Sequence, residues 1–318
     1  MTGLAGASAP PRSPLGLILI AAIGCALAPL LTDYRLFQAT QVMIFAIALL
    51  GLNLVTGWCG QISLGHGAFF GLGSYCSAIL MLRFGLADWM TLPIAAFFCF
   101  ASGWLFGHPA ARLQGLHLAL ASFALAAALP QLLKHRFAEP LTGGTGGLAL
   151  EAAQAPAWWP ASPALWLYAQ TLAVLIIMIA LSARILASRH GRAMIAVRDH
   201  ALAAGTLGID AARTQVTAFA LSAMYAGIAG ALSTSLVRFV SPDSFDVFLS
   251  ITFLVGIVIG GLASVSGSLI GALFIPIVPL AAEQVSREVS WAIYGAVLLL
   301  CLWLMPGGVV AFWRQLRR

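Results

Sequence analysis

The stretch LGLILIAAIGCALAPLL (Leu15–Leu31) contains no charged residue, and runs of this kind follow one another almost to the C-terminus. That recurrence is the strongest constraint on the fold. A helix needs roughly 20 apolar residues to cross the hydrocarbon core, and within lipid only helices and closed barrels satisfy their own backbone. A barrel alternates apolar and polar positions, which this chain does not. With 61% hydrophobic and 8% charged residues, it also lacks the polar surface of a soluble domain. The expectation is an all-α polytopic membrane protein, forming one membrane domain over residues 1–318.

Hydropathy marks about ten transmembrane helices. They are Leu15–Leu31, Ala39–Thr56, His66–Leu82, Leu92–Gly107, Leu113–Leu133, Ala164–Leu186, Thr214–Val237, Val247–Leu262, Val265–Glu283 and Trp291–Met305. Leu15–Leu31 also has the apolar character of a signal peptide, but without a small-residue cleavage site it reads as the first helix. Several runs are short and interrupted by Gly or Pro, so some helices are expected to be broken or re-entrant.

The basic residues set the orientation. With the N-terminus inside, Arg12, Arg112, Arg184, Arg189, Arg192, Arg198, Arg213, Arg314, Arg317 and Arg318 fall on the cytoplasmic side. Arg35, Arg83, Lys134, Arg136, Arg238 and Arg287 fall outside. The positive-inside rule favours this arrangement, with both termini cytoplasmic. The net charge of +6 is thus a matter of topology and calls for no nucleic acid. The longest loop, about 134–163, is then external and carries LTGGTGGL (Leu141–Leu148) and a Trp pair. Its glycines, Gly143 and Gly144 beside Thr142 among them, permit tight turns.

One polar insert interrupts the apolar pattern, SRHGRAMIAVRDHALAAGTLGID (Ser188–Asp210). Met194, Val197 and Ala201 recur at helical spacing, as do Ile195 and Leu202, with Arg192 and Asp199 away from their centre. The segment predicts a helix from Arg192 to Ala204, stopped at Gly208, with Asp210 in the following turn. Two uses are open. It is an interfacial helix lying on membrane lipid, or it plugs into a cytoplasmic partner through its apolar side, its small residues and its charges.

A second unusual stretch is NLVTGWCGQISLGHGAFFGLGSY (Asn53–Tyr75), where Asn53, Gln61, Ser63 and His66 are polar and the apolar run breaks. Intramembrane polar groups pair internally or face a water-filled path. A half-helix beginning near Ser63–Gly67 could present N–H groups to a solute carboxylate. The alternative is close helix packing through Gly67 and Gly71, with Ser63 and His66 satisfied internally.

Other chemistry is missing. The five cysteines have no metal or redox spacing and read as small buried hydrophobes. There is no HExxH and no Gly-x-Ser-x-Gly, and the sole lysine, Lys134, lies outside any Walker A loop. No catalytic set, metal site or cofactor is expected, so any ATP is used by a separate subunit. Asp243 and Asp246, like Glu283 and Glu288, read as solvated loop residues.

At this point five segments resemble one family. Asn53–Tyr75, Arg112–Ala126, Leu141–Leu148, Gly191–Asp210 and Phe219–Leu232 are similar, in order, to the LivM-type permeases of branched-chain amino acid ABC importers. The resemblance implies a bacterial inner-membrane subunit pairing with a homologous LivH-type permease. It also implies two ABC ATPase subunits and a periplasmic substrate-binding protein. Gly191–Asp210, within a coupling segment of about 187–212, would then be the cytoplasmic coupling helix. Its interface would comprise Arg192, Met194, Ile195, Arg198, Asp199, Leu202, Ala203 and Gly208. Asn53, Gln61, Ser63 and His66 would be candidates for the translocation path. The family often has acidic residues where this chain has Ala201 and Gly205, which shifts docking onto Arg192, Arg198, Asp199 and the apolar side. Relatives carry urea, short amides and small carboxylates as well as amino acids. The rival class is a secondary transporter driven by an ion gradient, which requires an intramembrane charged relay.

Overall fold

The computed structural model describes residues 24, 32–113, 115–151, 159, 161–285, 295–296, 299–300, 303 and 307–316. The expected spans Leu15–Leu31 and Trp291–Met305 lie outside the described residues, apart from isolated positions, as do both termini. Among the described residues, seven helices are long and apolar enough to cross a membrane, with Val265–Leu280 a shorter apolar one.

In chain order the helices are α1 (Asp33–Asn53), α2 (His66–Phe84), α3 (Asp88–Ala110), α4 (Leu116–Lys134) and the short α5 (Glu139–Thr142). They continue as α6 (Pro163–Ala187), α7 (Arg189–Thr206), α8 (Ala211–Val237), α9 (Val247–Gly260), α10 (Val265–Val285) and α11 (Val309–Leu316). The strands β1 (Leu148–Ala149) and β2 (Phe239–Val240) pair antiparallel, Leu148 opposite Val240, and form the single ladder among the described residues.

Capping residues set several of these ends. Ser162 accepts from Leu165 N ahead of Pro163 at the start of α6, and Asp210 and Asp246 do the same for α8 and α9. Gly85 closes α2 in the left-handed conformation. The helices α1 and α3 begin several residues earlier than hydropathy indicates, at Asp33 and Asp88. A carboxylate in the first turn suits the positive end of the helix dipole while lowering local hydropathy.

The centre of the bundle is α1 and α8. Their apolar windows are 72% and 78% buried, whereas no other span exceeds 56%. Helix α8 packs against α3, α2 and α1. It reaches them through glycine: an added Cβ at Gly230 would lie 1.9 Å from Phe70 O, and one at Gly73 2.1 Å from Gly227 O. Lipid gives helices no hydrophobic reason to associate, so such close backbone approach is what holds them together.

Two of the connections between membrane helices are irregular. After α1 the backbone widens into a π-turn, Leu54–Trp58, and then runs non-helically to Gly65 before α2 starts. His66, the first residue of α2, bonds to Ala48 deep in α1, so α2 begins inside the bundle rather than at its face. The α9–α10 turn is the second, with Gly261 at φ 123° and Ala263, without glycine's freedom, at φ 53°.

Candidate functional site

Helix α7 lies between α6 and α8 and touches the π-turn. It is not one helix. The backbone leaves helical geometry at His200 (φ −159°, ψ 91°), so Arg189–Asp199 and Ala201–Thr206 meet at an elbow. The sequence predicts a continuous helix here, and no glycine or proline marks the break. The expected stop at Gly208 is present (φ 80°), and Asp210 caps α8.

The piece before the elbow is an anchor. Gly191 is buried, and a Cβ there would lie 2.5 Å from Leu186 Cα and O, so only glycine permits the sharp exit from α6. Met194 is fully buried in a cluster with Cys59 and Ala218, and Val197 is 5% exposed. Ile195 packs half-buried against the main core. The expectation that Met194 and Ile195 fill a partner's groove is therefore corrected for Met194, whose side chain is spent inside the chain.

Arg198 is also turned inward. Its Nη1 donates to Gly57 O (3.1 Å) and its Nε to Asp199 Oδ1 (2.9 Å). Its side chain is 15% exposed against 61% for that of Asp199. The outward-facing residues are Arg192, Asp199, Ala203 and Gly208, together with Leu202 at 88% and Leu207 at 79% exposure. Leu207 did not figure among the sequence candidates. An exposed leucine pair beyond the elbow is the sort of surface that association covers.

Cys59 lies just past the membrane run, under α7. Burial pushes its thiol from 9.0 up to about 12, so it carries no thiolate at pH 8 and should resist alkylation. In a variant with Cys25, Cys76, Cys99 and Cys301 replaced by serine, maleimide labelling of Cys59 should be slow at pH 8. It should accelerate on raising the pH from 9 toward 12, because the undocked state releases its proton first and docking weakens over that range. Met194→Asp should accelerate it already at pH 8. Fast labelling of the unmodified anchor would contradict the packed interface.

The expected path residues prove to be internally engaged. Asn53 has no exposed surface; its Nδ2 donates to Ser264 O (3.0 Å) and Ser268 Oγ (2.9 Å), and its Oδ1 accepts from Ala263 N (2.9 Å). His66 Nε2 lies 2.8 Å from Ala48 O, which can only accept, so the ring is protonated there and Nδ1 accepts from Ser222 Oγ (3.3 Å). Phe253 meets the ring edge to face. Ser63 Oγ accepts from Gly65 N, while Leu64 N and Gly67 N donate to Ser122 and Ser250 hydroxyls. Leu64 N, just ahead of α2, and Gly67 N, in its first turn, are thus taken by serines of α4 and α9 rather than left for a solute carboxylate. Gln61 differs: it is 5% exposed and its Oε1 has no hydrogen-bond partner.

At the far ends of α2 and α4 the glycine-rich loop is a built turn. Thr142 is 3% exposed, and its hydroxyl donates to Leu133 O (2.7 Å). Gly143, Gly144 and Gly147 all have positive φ, and a Cβ at Gly147 would lie 2.5 Å from Val240 O. Lys134 pairs with Asp243, and Arg83 donates to Pro140 O, tying α4 and α2 to this cap. Thr142, Gly143 and Gly144 therefore shape the loop. The loop's outer surface includes Phe137, 93% exposed. Among the described residues no group of His, Cys, Asp and Glu could hold a metal ion.

A broken, glycine-packed bundle with a polar elbow beneath it is the arrangement to set beside known proteins. The profile described as "Branched-chain amino acid transport system / permease component" matches residues 34–302. The chain belongs to this permease family. It is 31% identical over 299 residues to the Escherichia coli high-affinity branched-chain amino acid transport system permease protein LivM, covering 87% of this chain and 70% of LivM. The E. coli LivH permease protein is 26% identical over 288 residues, covering 84% of this chain and 91% of LivH. A probable LivH of Methanocaldococcus jannaschii is 29% identical over 161 residues, 48% of this chain and 50% of its own length. No solved structure gives a significant match. As a multi-pass permease the chain contributes a membrane body, and its polar elbow is the part of that body built unlike a membrane helix.

Proposed function

We propose that this permease is the LivM-type subunit of an ABC importer and forms half of a translocation pathway for branched-chain or related amino acids. A separate ATPase, two copies per complex, supplies the energy, and the chain itself hydrolyses nothing. A LivH-type permease completes the pathway. A periplasmic binding protein delivers cargo to the face carrying the Gly143–Gly147 turn, the β1–β2 ladder and exposed Phe137. The protein sits in the bacterial inner membrane, with α7 and both termini cytoplasmic. Urea, short amides and small carboxylates are the alternative cargoes.

One observation carries this reading. Helix α7 is anchored to the bundle by Met194 and Val197, while beyond the elbow, where Ala204 alone is buried, Leu202 and, just past the helix end, Leu207 face outside. A lipid-lying helix would have no reason to fix one half and elbow the other. Within the interface forecast from the sequence, Arg192, Asp199, Leu202, Ala203 and Gly208 remain available to the ATPase; Met194 does not. Among the path candidates Gln61 has a buried carbonyl oxygen without a hydrogen-bond partner, and we assign it to the pathway.

The test is gentle-detergent purification of the tagged chain followed by mass spectrometry of what accompanies it. An ABC ATPase and a second permease should co-purify. A Leu202→Glu/Leu207→Glu variant, altered only at exposed positions, should keep the second permease and bind the ATPase about tenfold less well or worse, as expected for removing two anchor side chains. If the native chain brings no ATPase under mild conditions, the assignment fails. Import that persists with ATP hydrolysis blocked and stops when the proton gradient collapses would favour an ion-driven transporter.

A further inference from the structure

We infer that Arg198 is a latch inside the chain, fastening α7 to the broken end of α1, and that the Gly57–Gly60 turn passes α7's displacement on to the α9–α10 hairpin. This rests on the proposed role of α7 as the receiver of ATPase motion. It differs from the sequence expectation, which aimed Arg198 at the ATPase.

The seat is specific to this side chain. In the π-turn, Cys59 N returns to Leu54 O and Gln61 N to Val55 O, and Gly57 O is a helix-end carbonyl that the guanidinium satisfies. The arginine stem lies across Gly60, where an added Cβ would be 2.7 Å from Arg198 Cγ and φ is 76°. Asp199 Oδ1 accepts from Arg198 Nε and pairs with Nη2, both at 2.9 Å, which fixes the fork in its inward orientation.

The opposite side of the turn is equally tight. A Cβ at Gly57 would lie 1.9 Å from Asn53 Oδ1 and 2.5 Å from Ala263 N. Asn53 in turn holds Ala263 N, Ser264 O and Ser268 Oγ, and Ala263 sits in the left-handed region that a non-glycine residue leaves readily when its support goes. A continuous line of contacts therefore runs from Asp199 through Arg198, Gly57 and Asn53 to Ser268. Its longest member, the Arg198 side chain, is held at the fork by Asp199 and Gly57 O and along its stem by Gly60, and the line ends on a strained turn between two membrane helices. The elbow at His200 completes the device. The exposed Leu202 piece can be gripped while the Arg189–Asp199 piece stays seated on the latch.

A passive staple and a latch make different predictions. Purified complex in proteoliposomes should be assayed for solute imported, for ATP hydrolysed per solute, and for stimulation of hydrolysis by loaded binding protein. Arg198→Gln and Gly60→Ala act on the two sides of the seat. Each should retain the ATPase on purification yet import at least about tenfold more slowly, the scale set by losing one charged hydrogen bond. Each should also spend several times more ATP per solute, by the same reasoning. Arg198→Lys, which can reach Gly57 O but cannot fork to Asp199, should recover part of the loss. Native stoichiometry in either Arg198→Gln or Gly60→Ala would overturn the latch, including when the other variant does not accumulate. Absence of an ATPase from the native preparation would instead overturn the function on which the latch rests.

Discussion

Gly230→Ala should destabilise the folded chain by about 3 kcal/mol or more, the upper range for overpacking a dense interior. The new methyl would lie 1.9 Å from Phe70 O and 2.8 Å from Phe70 C, where ordinary contacts begin near 3.4 Å. Backbone cannot rotate aside as a side chain can, so α2 and α8 must separate. Separation also pulls Ser74 Oγ from Gly230 O and Thr234 Oγ1 from Ser74 O, two bonds made only because the helices approach so closely. Gly73→Ala should be comparably harmful, with its Cβ 2.1 Å from Gly227 O. In thermal unfolding of the detergent-solubilised protein the midpoint should drop by roughly 5 °C or more. Gly205→Ala, with nothing within 4 Å and an ordinary φ, is the control and should unfold as the parent does. Equal midpoints for Gly230→Ala and the control would mean that α2 and α8 do not cross as described.

Much of this fold is legible because lipid leaves few alternatives. Apolar length locates α2, α4, α6, α8, α9 and α10 to within a few residues, and a run of glycines and polar residues locates the break before His66. Less legible is where each helix starts: Asp33 and Asp88 lower hydropathy yet favour a helix N-terminus, so hydropathy and hydrogen bonding mark different boundaries. The site was read least well. Asn53 and His66 declare themselves as costly intramembrane polar groups, but their partners are Ser264, Ser268, Ala48 and Ser222, and a single sequence contains no signal for such distant pairing. The same spacing that puts Met194 and Leu202 on an apolar side cannot say which of them the bundle keeps. The resemblance put Arg198 in the ATPase interface; a carbonyl freed by the π-turn and a glycine groove seat it inside the chain instead. Nothing in the residues around His200 explains the elbow.

Asn53→Leu should separate the two readings of the polar break. If Asn53 touched cargo, the variant would fold normally and import with a raised KM. The observed bonds predict the reverse. Leucine leaves Ala263 N, Ser264 O and Ser268 Oγ without their Asn53 partner at a position with no solvent access, although Ser268 Oγ keeps a longer bond to Ser264 O. Each buried polar group so abandoned costs about 1–3 kcal/mol, so a loss above about 3 kcal/mol follows. Asn53→Asp should be no gentler. It retains an acceptor for Ala263 N but turns a carboxylate oxygen toward Ser264 O and places a charge where nothing compensates it. Ser268→Ala, which removes only the hydroxyl partner, should be milder than either. Thermal midpoints should therefore fall in the order Ser268→Ala, then Asn53→Leu and Asn53→Asp, while KM for the imported solute stays at the parent value in whatever fraction folds. A parental midpoint with an altered KM in Asn53→Leu would return Asn53 to the pathway. The α9–α10 turn would then have to be held by something other than this amide.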